Sequence, residues 1–347
     1  MASCLVWAVA GVVALLGSAC RDGKPGTASA NTIEPKASAA PVPVEVKPPL
    51  RIAYSDWPGW TAFEIGIQKG WFKEAGVNVD FSWFDYLPSM DAFAAGKVDA
   101  VMVTNGDALV TGANGAKSKI ILLTDYSNGN DKILGRPGVA TFKDLKGKKV
   151  GLELTLVEHL LFLKGAEKFG IKPSDVDLVN FATNETPQAL ASGQVAAIGA
   201  WYPVSGQAQK AVPQAKPLFT TADVPGLVYD TIAVSPTSLA QRHDDWLKVV
   251  KVWYRISDFV RDPSTQADAV GIMAAKVGVP AAEYAAAIPG TYFLSLAEAK
   301  KRFEKRPALD SIYGSTAVAN DFNVANKVYK ESQEVGDYID PSLIGAL

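Results

Sequence analysis

Two distant segments of this chain repeat one another. AFAAGKVDAVMVTN begins at Ala92 and ALASGQVAAIGAWY begins at Ala189, and each carries a short helix, a glycine stop, a valine and a buried strand in the same order. What precedes them also matches. In the first unit LRIAYS reads as a strand, residues 61–75 as an amphipathic helix and VNVDFSWF as an alternating strand. In the second, KKVGLEL, TLVEHLLFLKGAEKFGI and VDLVNF follow the same order of strand, helix and strand. A pattern used twice predicts two similar α/β lobes. Alternating strands and helices imply mostly parallel sheets with right-handed crossovers.

Such sheets bind ligands in the loops that follow the carboxyl ends of their strands. Four loops of this kind are SDWPGW, TNGDAL, ELTLVE and AWYP. They place Trp57, Trp60, Asn105, Asp107, Glu153, Glu158 and Trp201 at the facing edges of the two lobes. Asp85 follows the second strand, and Asp230 lies in a further strand, GLVYDTIAVSP, that returns the chain to the first lobe. Asp56, Glu185 and, in TDYSNGND near the crossover, Asp125 and Asp131 add to the acidic total. Aromatic rings on opposite lobes can sandwich an apolar body or the face of a cation. A carboxylate about 4 Å from a cation gains roughly 4 kcal/mol at an effective dielectric of 20. Each residue also has a plainer reading: tryptophans pack lobes, and Asp107 can cap a helix. Trp71 and Trp83 continue apolar patterns and are expected in the core or at a helix end. His159, on a helix, is expected to be a satisfied packing residue.

The rest of the chain narrows the function. Its 347 residues carry a net charge of −2, which gives no basic face for nucleic acid. Both cysteines, Cys4 and Cys20, lie in the first twenty residues, and His159 and His243 are the only histidines. That composition offers the folded part no thiol nucleophile and no histidine-rich metal site, and no cofactor is implied. Residues 5–16 form a short apolar run followed by GSAC, a pattern similar to a bacterial lipoprotein signal with Cys20 as the lipidated residue. The expected organisation is a signal peptide over 1–20, a flexible Ala/Pro-rich tether over 21–49, lobe 1 over 50–145 plus 235–347, and lobe 2 over 146–234.

The segments EIGIQKGWFKEAGVNVDF, AFAAGKVDAVMVTNGDAL, DLKGKKVGLE and PQALASGQVAAIGAW make residues 50–347 resemble the periplasmic substrate-binding proteins of bacterial ABC importers, the nitrate, sulfonate and taurine-like group. The resemblance implies a two-lobed periplasmic-binding-protein type II fold with a ligand cleft between the lobes. A monomer at the periplasmic or outer cell surface is expected, held to the membrane by the lipid anchor that the lipoprotein-like signal ending at Cys20 suggests. The resemblance implies that a small molecule is clamped and delivered to a permease and an ATPase. FDY, TNGDAL and SNGND further resemble a subgroup found beside urea- and guanidine-utilisation pathways. Anion binders need Arg, Lys or bare helix N-termini at the ligand, whereas these loops are acidic. The expected ligand is a cationic or neutral nitrogen compound, with nitrate, taurine or an alkyl sulfonate as the alternative. An exported enzyme using paired carboxylates is the alternative of another class.

Overall fold

A computed structural model describes residues 47–347. The expected signal peptide, Cys20 and the tether up to Val46 lie outside the described residues. Eleven strands form two sheets. The first holds β1 (Leu50–Tyr54), β2 (Val79–Trp83), β3 (Ala100–Thr104), β4 (Lys119–Ser127), β10 (Tyr229–Val234) and β11 (Thr291–Phe293), in the order β11-β4-β10-β3-β1-β2. The second holds β5 (Lys132–Gly135), β6 (Lys149–Leu152), β7 (Asp177–Asn180), β8 (Ala197–Ala200) and β9 (Lys216–Thr220), in the order β7-β6-β8-β5-β9.

The duplication is visible strand by strand. β1 pairs in parallel with β2 and β3, and β6 pairs in parallel with β7 and β8. In both sheets the third strand then takes an antiparallel partner that arrives from the other lobe, β10 beside β3 and β5 beside β8. The two glycine stops of the repeated segments hold the same left-handed turn, Gly96 at φ 68° and Gly193 at φ 78°. A side chain with a Cβ is disfavoured there. These are the two α/β lobes of the periplasmic-binding-protein fold.

The crossing strands correct the expected lobe boundaries. Residues 132–135 belong to the second sheet and residues 229–234 to the first, so the chain passes between lobes at 128–131 and 221–228, not at 146 and 234. The physical cause is that each third strand would otherwise leave a hydrogen-bonding edge open. A four-residue strand such as KILG carries too little periodicity to be seen as one in advance.

The core of the first lobe extends into the C-terminal helices. The His243–Arg261 helix buries Trp246 and Trp253 completely, and the Trp253 ring stacks on Phe63 at 4.7 Å. Trp71 is buried as expected, with the Arg255 guanidinium 4.1 Å from its ring. Trp83 is not core: at the end of β2 it is 41% exposed, with the Lys276 ammonium 5.0 Å above the ring. His159 packs edge-on against Phe322, and its Nδ1 accepts the Thr155 N–H at 3.3 Å. Burial pushes this imidazole down to about 4, so it is neutral.

Candidate functional site: an acidic, aromatic cleft between the lobes

The opening loop of the first lobe is shaped by one acid. Pro58 presets the first turn of the short Pro58–Thr61 helix, and Trp57 precedes it. The Trp57 Nε1–H donates to Asp125 Oδ1 at 3.0 Å, and Thr124 Oγ1 donates to Asp125 Oδ2 at 2.8 Å. Gly59 lies so close beneath this carboxyl that a Cβ there would sit 1.7 Å from Oδ2. The proline and glycine of SDWPGW therefore let the backbone close over Asp125. Trp60 turns the other way and stacks on Tyr86 at 5.5 Å and 17°. Its buried Nε1–H has no acceptor.

Tyr86 is a second anchor. Its hydroxyl donates to Asp107 Oδ2 at 2.8 Å and accepts the Thr104 N–H at 3.1 Å. Thr104 in turn caps the Asn105–Ala113 helix by accepting the Asp107 N–H. From the other lobe Trp201 lays its ring edge on Tyr86 at 5.3 Å, and its Nε1–H donates to Asp56 Oδ1 at 2.9 Å. Tyr86 and Trp201 thus form a wall across the cleft. On one side is a tight inner chamber of about 10 Å³, room for about one water, lined by Trp57, Trp60, Thr104, Asp131, Val157 and Asp230 as well as the wall itself. On the other is a mouth of about 270 Å³, where Asp85, Glu153 and Trp83 stand.

The inner chamber is electrostatically unusual. Asp125 and Asp230 are register partners on β4 and β10, and their carboxyls meet side by side. Asp131, at the crossover, meets Glu158 from the Val157–Phe169 helix in the same way. Burial pushes Asp125 up to about 7, against hydrogen bonds from Asp230, Thr124 and Trp57. It pushes Asp131 up to about 6 and Asp107 up to about 7, again against their hydrogen bonds. Glu158 and Asp230 rise well above the usual carboxylate range, first through burial and then through their acidic neighbours. Asp131 Oδ2, Asp230 Oδ2 and both oxygens of Glu158 receive no N–H or hydroxyl hydrogen bond. Unmet acceptors this deeply buried are costly.

The residues singled out in the sequence divide into three groups. Trp57, Trp60, Asp107, Glu158, Trp201 and Asp230 surround the inner chamber or brace its walls. Asp85 and Glu153 belong to the mouth. Asp85 is exposed and accepts from Asn184 across the lobes at 3.4 Å, while buried Glu153 accepts the Thr183 hydroxyl at 3.0 Å. Asn105 is fully occupied: its amide donates to Ser315 and Thr316 and accepts the Tyr229 N–H, each at 3.0 Å. It ties the first sheet to the Ile312–Ala325 helix. Four residues of the site were not among those singled out as ligand contacts: Asp56, Tyr86, Asp125 and Asp131. The acidic TDYSNGND motif at the crossover was the available signal for two of them.

Comparison with known proteins agrees with this architecture. The chain is 30% identical over 177 residues to binding proteins of Brucella abortus and Brucella suis, covering 50% of this chain and 54% of theirs. It is 24% identical over 139 residues to the taurine-binding periplasmic protein of Escherichia coli, covering 40% and 43%. The chain therefore spans about half the length of the curated relatives it matches. Among solved structures, the alkanesulfonate-binding protein SsuA of Xanthomonas axonopodis superposes with a TM-score of 0.71 at 17% identity, over 84% of this chain and 98% of that one. The aliphatic sulphonate binding protein SsuA of Escherichia coli gives 0.69 at 17% identity, over 84% and 92%. The sequence model of the family described as NMT1/THI5 like matches residues 57–260, the span that holds both sheets' binding loops, and the chain belongs to that family.

Proposed function

We propose that the chain is the solute-binding component of an ABC importer and that its inner chamber, closed to about one water's volume here, opens as the lobes part to take a small nitrogen-containing solute, cationic or neutral, for delivery to a permease and its ATPase. One observation carries the choice of ligand: four buried oxygens, on Asp131, Asp230 and Glu158, receive no N–H or hydroxyl hydrogen bond, and Asp131 and Asp230 line the chamber. A solute rich in N–H groups supplies what they lack, and the indoles of Trp60 and Trp201 offer it flat apolar walls. The names of the sulfonate- and taurine-binding relatives favour an anion. An anion would need cationic or N–H partners, and the residues lining the chamber include no Lys or Arg. The binding role, as opposed to catalysis, is supported by the relatives' names and by a folded region without cysteine. In the same reading the protein works outside the cytoplasmic membrane as a monomer, tethered through lipid on Cys20.

A thermal-shift screen of the exported chain carrying Cys20→Ser tests the ligand class. The panel sets guanidinium, urea, small amines, choline and pyrimidines against nitrate, taurine and alkyl sulfonates. A ligand at a hundred times its Kd adds about 2.7 kcal/mol, a shift of a few degrees. Hits among the nitrogen compounds are expected; hits confined to the anions would overturn the reading.

A further inference from the structure

The chamber holds more acid than its own donors can keep ionised. Asp125, Asp230, Asp131 and Glu158 are each at most 3% exposed, and they stand as two carboxyl-to-carboxyl pairs. Two carboxyls in contact away from water are stable only around a shared proton, because two like charges at that distance cannot both persist. Most of the surrounding groups add no compensating charge. Asp56, Asp107 and Glu153 are acids, Tyr86 and Tyr284 are buried phenols, and His159 is neutral and turned to Phe322. Among the described residues Lys132 acts on the pairs as a cation, through Asp131. It follows Asp131 directly in sequence and lines a separate open groove with Tyr202 and Lys210.

The geometry points to a cation–proton exchange in this chamber: the solute is taken up as an organic monocation, and one carboxyl pair releases its shared proton to solvent for each solute bound. This rests on the reading of the chamber as the solute site and narrows its ligand from "cationic or neutral" to obligately cationic. The charge count is the same before and after exchange, which is why a buried acidic pair can serve without an Arg or Lys partner. The incoming cation brings several N–H donors where the proton brought one, so it can meet unmet oxygens that line the chamber on Asp131 and Asp230. A neutral solute of the same shape would leave the proton in place and forgo the charge-assisted bonds.

Guanidinium and urea share size and planarity and differ in charge, so they make the test. Calorimetric titrations of the full exported chain would use millimolar guanidinium chloride, urea or methanesulfonate between pH 5.5 and 7.5. Each would be repeated in two buffers of different ionisation enthalpy. Exchange predicts that about one proton is released per guanidinium bound and that Kd falls about tenfold per pH unit while the pair remains protonated without ligand. Urea should bind far more weakly and release none. Guanidinium binding without proton release and without pH dependence would overturn the exchange and leave the solute site standing. Urea binding as tightly as guanidinium would overturn the cation requirement alone. Binding of methanesulfonate only, or of none of the three, would remove the proposal together with the reading it rests on. The wild-type series decides these outcomes. The Glu158→Gln/Asp230→Asn variant, which leaves neither pair able to exchange a proton in the same way, should lose the proton release.

Discussion

The inner chamber and the mouth of the cleft are built from the same residue types and behave differently. Both have carboxylates and indoles. In the mouth, Asp85 reaches water and Asn184, Glu153 accepts from Thr183, and Asp56 accepts from Trp201. Each acid there has its own donor. In the chamber, beyond the Tyr86–Trp201 wall, Asp230 and Glu158 have other carboxyls for neighbours and no N–H or hydroxyl bond to their unmet oxygens. Burial and pairing, more than the count of acidic residues, turn a polar surface into a site with an unmet chemical demand.

That contrast can be broken at several points. The largest effect is expected at Asp230→Asn, which removes one of the chamber's charge-bearing acceptors. Affinity for a cationic solute should fall roughly 100-fold, about 3 kcal/mol. Calorimetry measures the loss, and circular dichroism checks that the fold survives. An unchanged Kd would remove the chamber from the site.

Next comes pH acting on the protein without ligand. Asp56, Asp107, Asp125 and Asp131 have folded-state values of about 6 to 7 against the ordinary aspartate value of 3.8. Above pH 4 the native state therefore holds more protons than the unfolded one. The stability associated with these acids is full below pH 4 and is lost as pH rises towards 7. His159, held down to about 4, acts in the opposite sense between pH 4 and 6.5, but it is one group against four. Melting should occur at a higher temperature at pH 5 than at pH 7.5, and a saturating cation should reduce that difference. A Tm that climbs over this range would contradict the buried, protonated acids.

Trp201→Phe keeps an aromatic wall and deletes the hydrogen bond to Asp56. Affinity should fall about tenfold, in line with roughly 1.5 kcal/mol for a bond to an acidic group. The loss should come mainly through faster release, which stopped-flow fluorescence resolves. The smallest effect is expected at Asp85→Asn. This exposed acid at the mouth should change affinity by less than about threefold, under ~0.6 kcal/mol. If Asp85→Asn proved as damaging as Asp230→Asn, the distinction between mouth and chamber would collapse.

Much of the fold was legible in the sequence because it was written twice. The matched segments at Ala92 and Ala189 predict two lobes, and the strands they end in, β3 and β8, occupy equivalent places in the two sheets. The binding loops were legible for the same reason, since the ends of parallel strands are determined once the strands are. The lobe boundaries were less legible because β5 is only four residues long and because β5 and β10 belong to the lobe they enter, not the one they leave. Asn105 sits in a binding loop and is consumed by Ser315, Thr316 and Tyr229, partners more than a hundred positions away.

Legible along the chain were the two-lobed α/β plan, the acidic and aromatic character of the facing loops and the glycine turns that end the repeated helices. All of these depend on local pattern, on residues within a few positions of one another. Only the tertiary structure decided which acids meet. Asp125 lies opposite Asp230 because β4 and β10 pair in antiparallel register, and Asp131 reaches Glu158 because the crossover delivers it beneath the Val157–Phe169 helix. The shifts that matter arise from desolvation and from like charge at contact distance, both properties of a three-dimensional neighbourhood that no stretch of sequence contains.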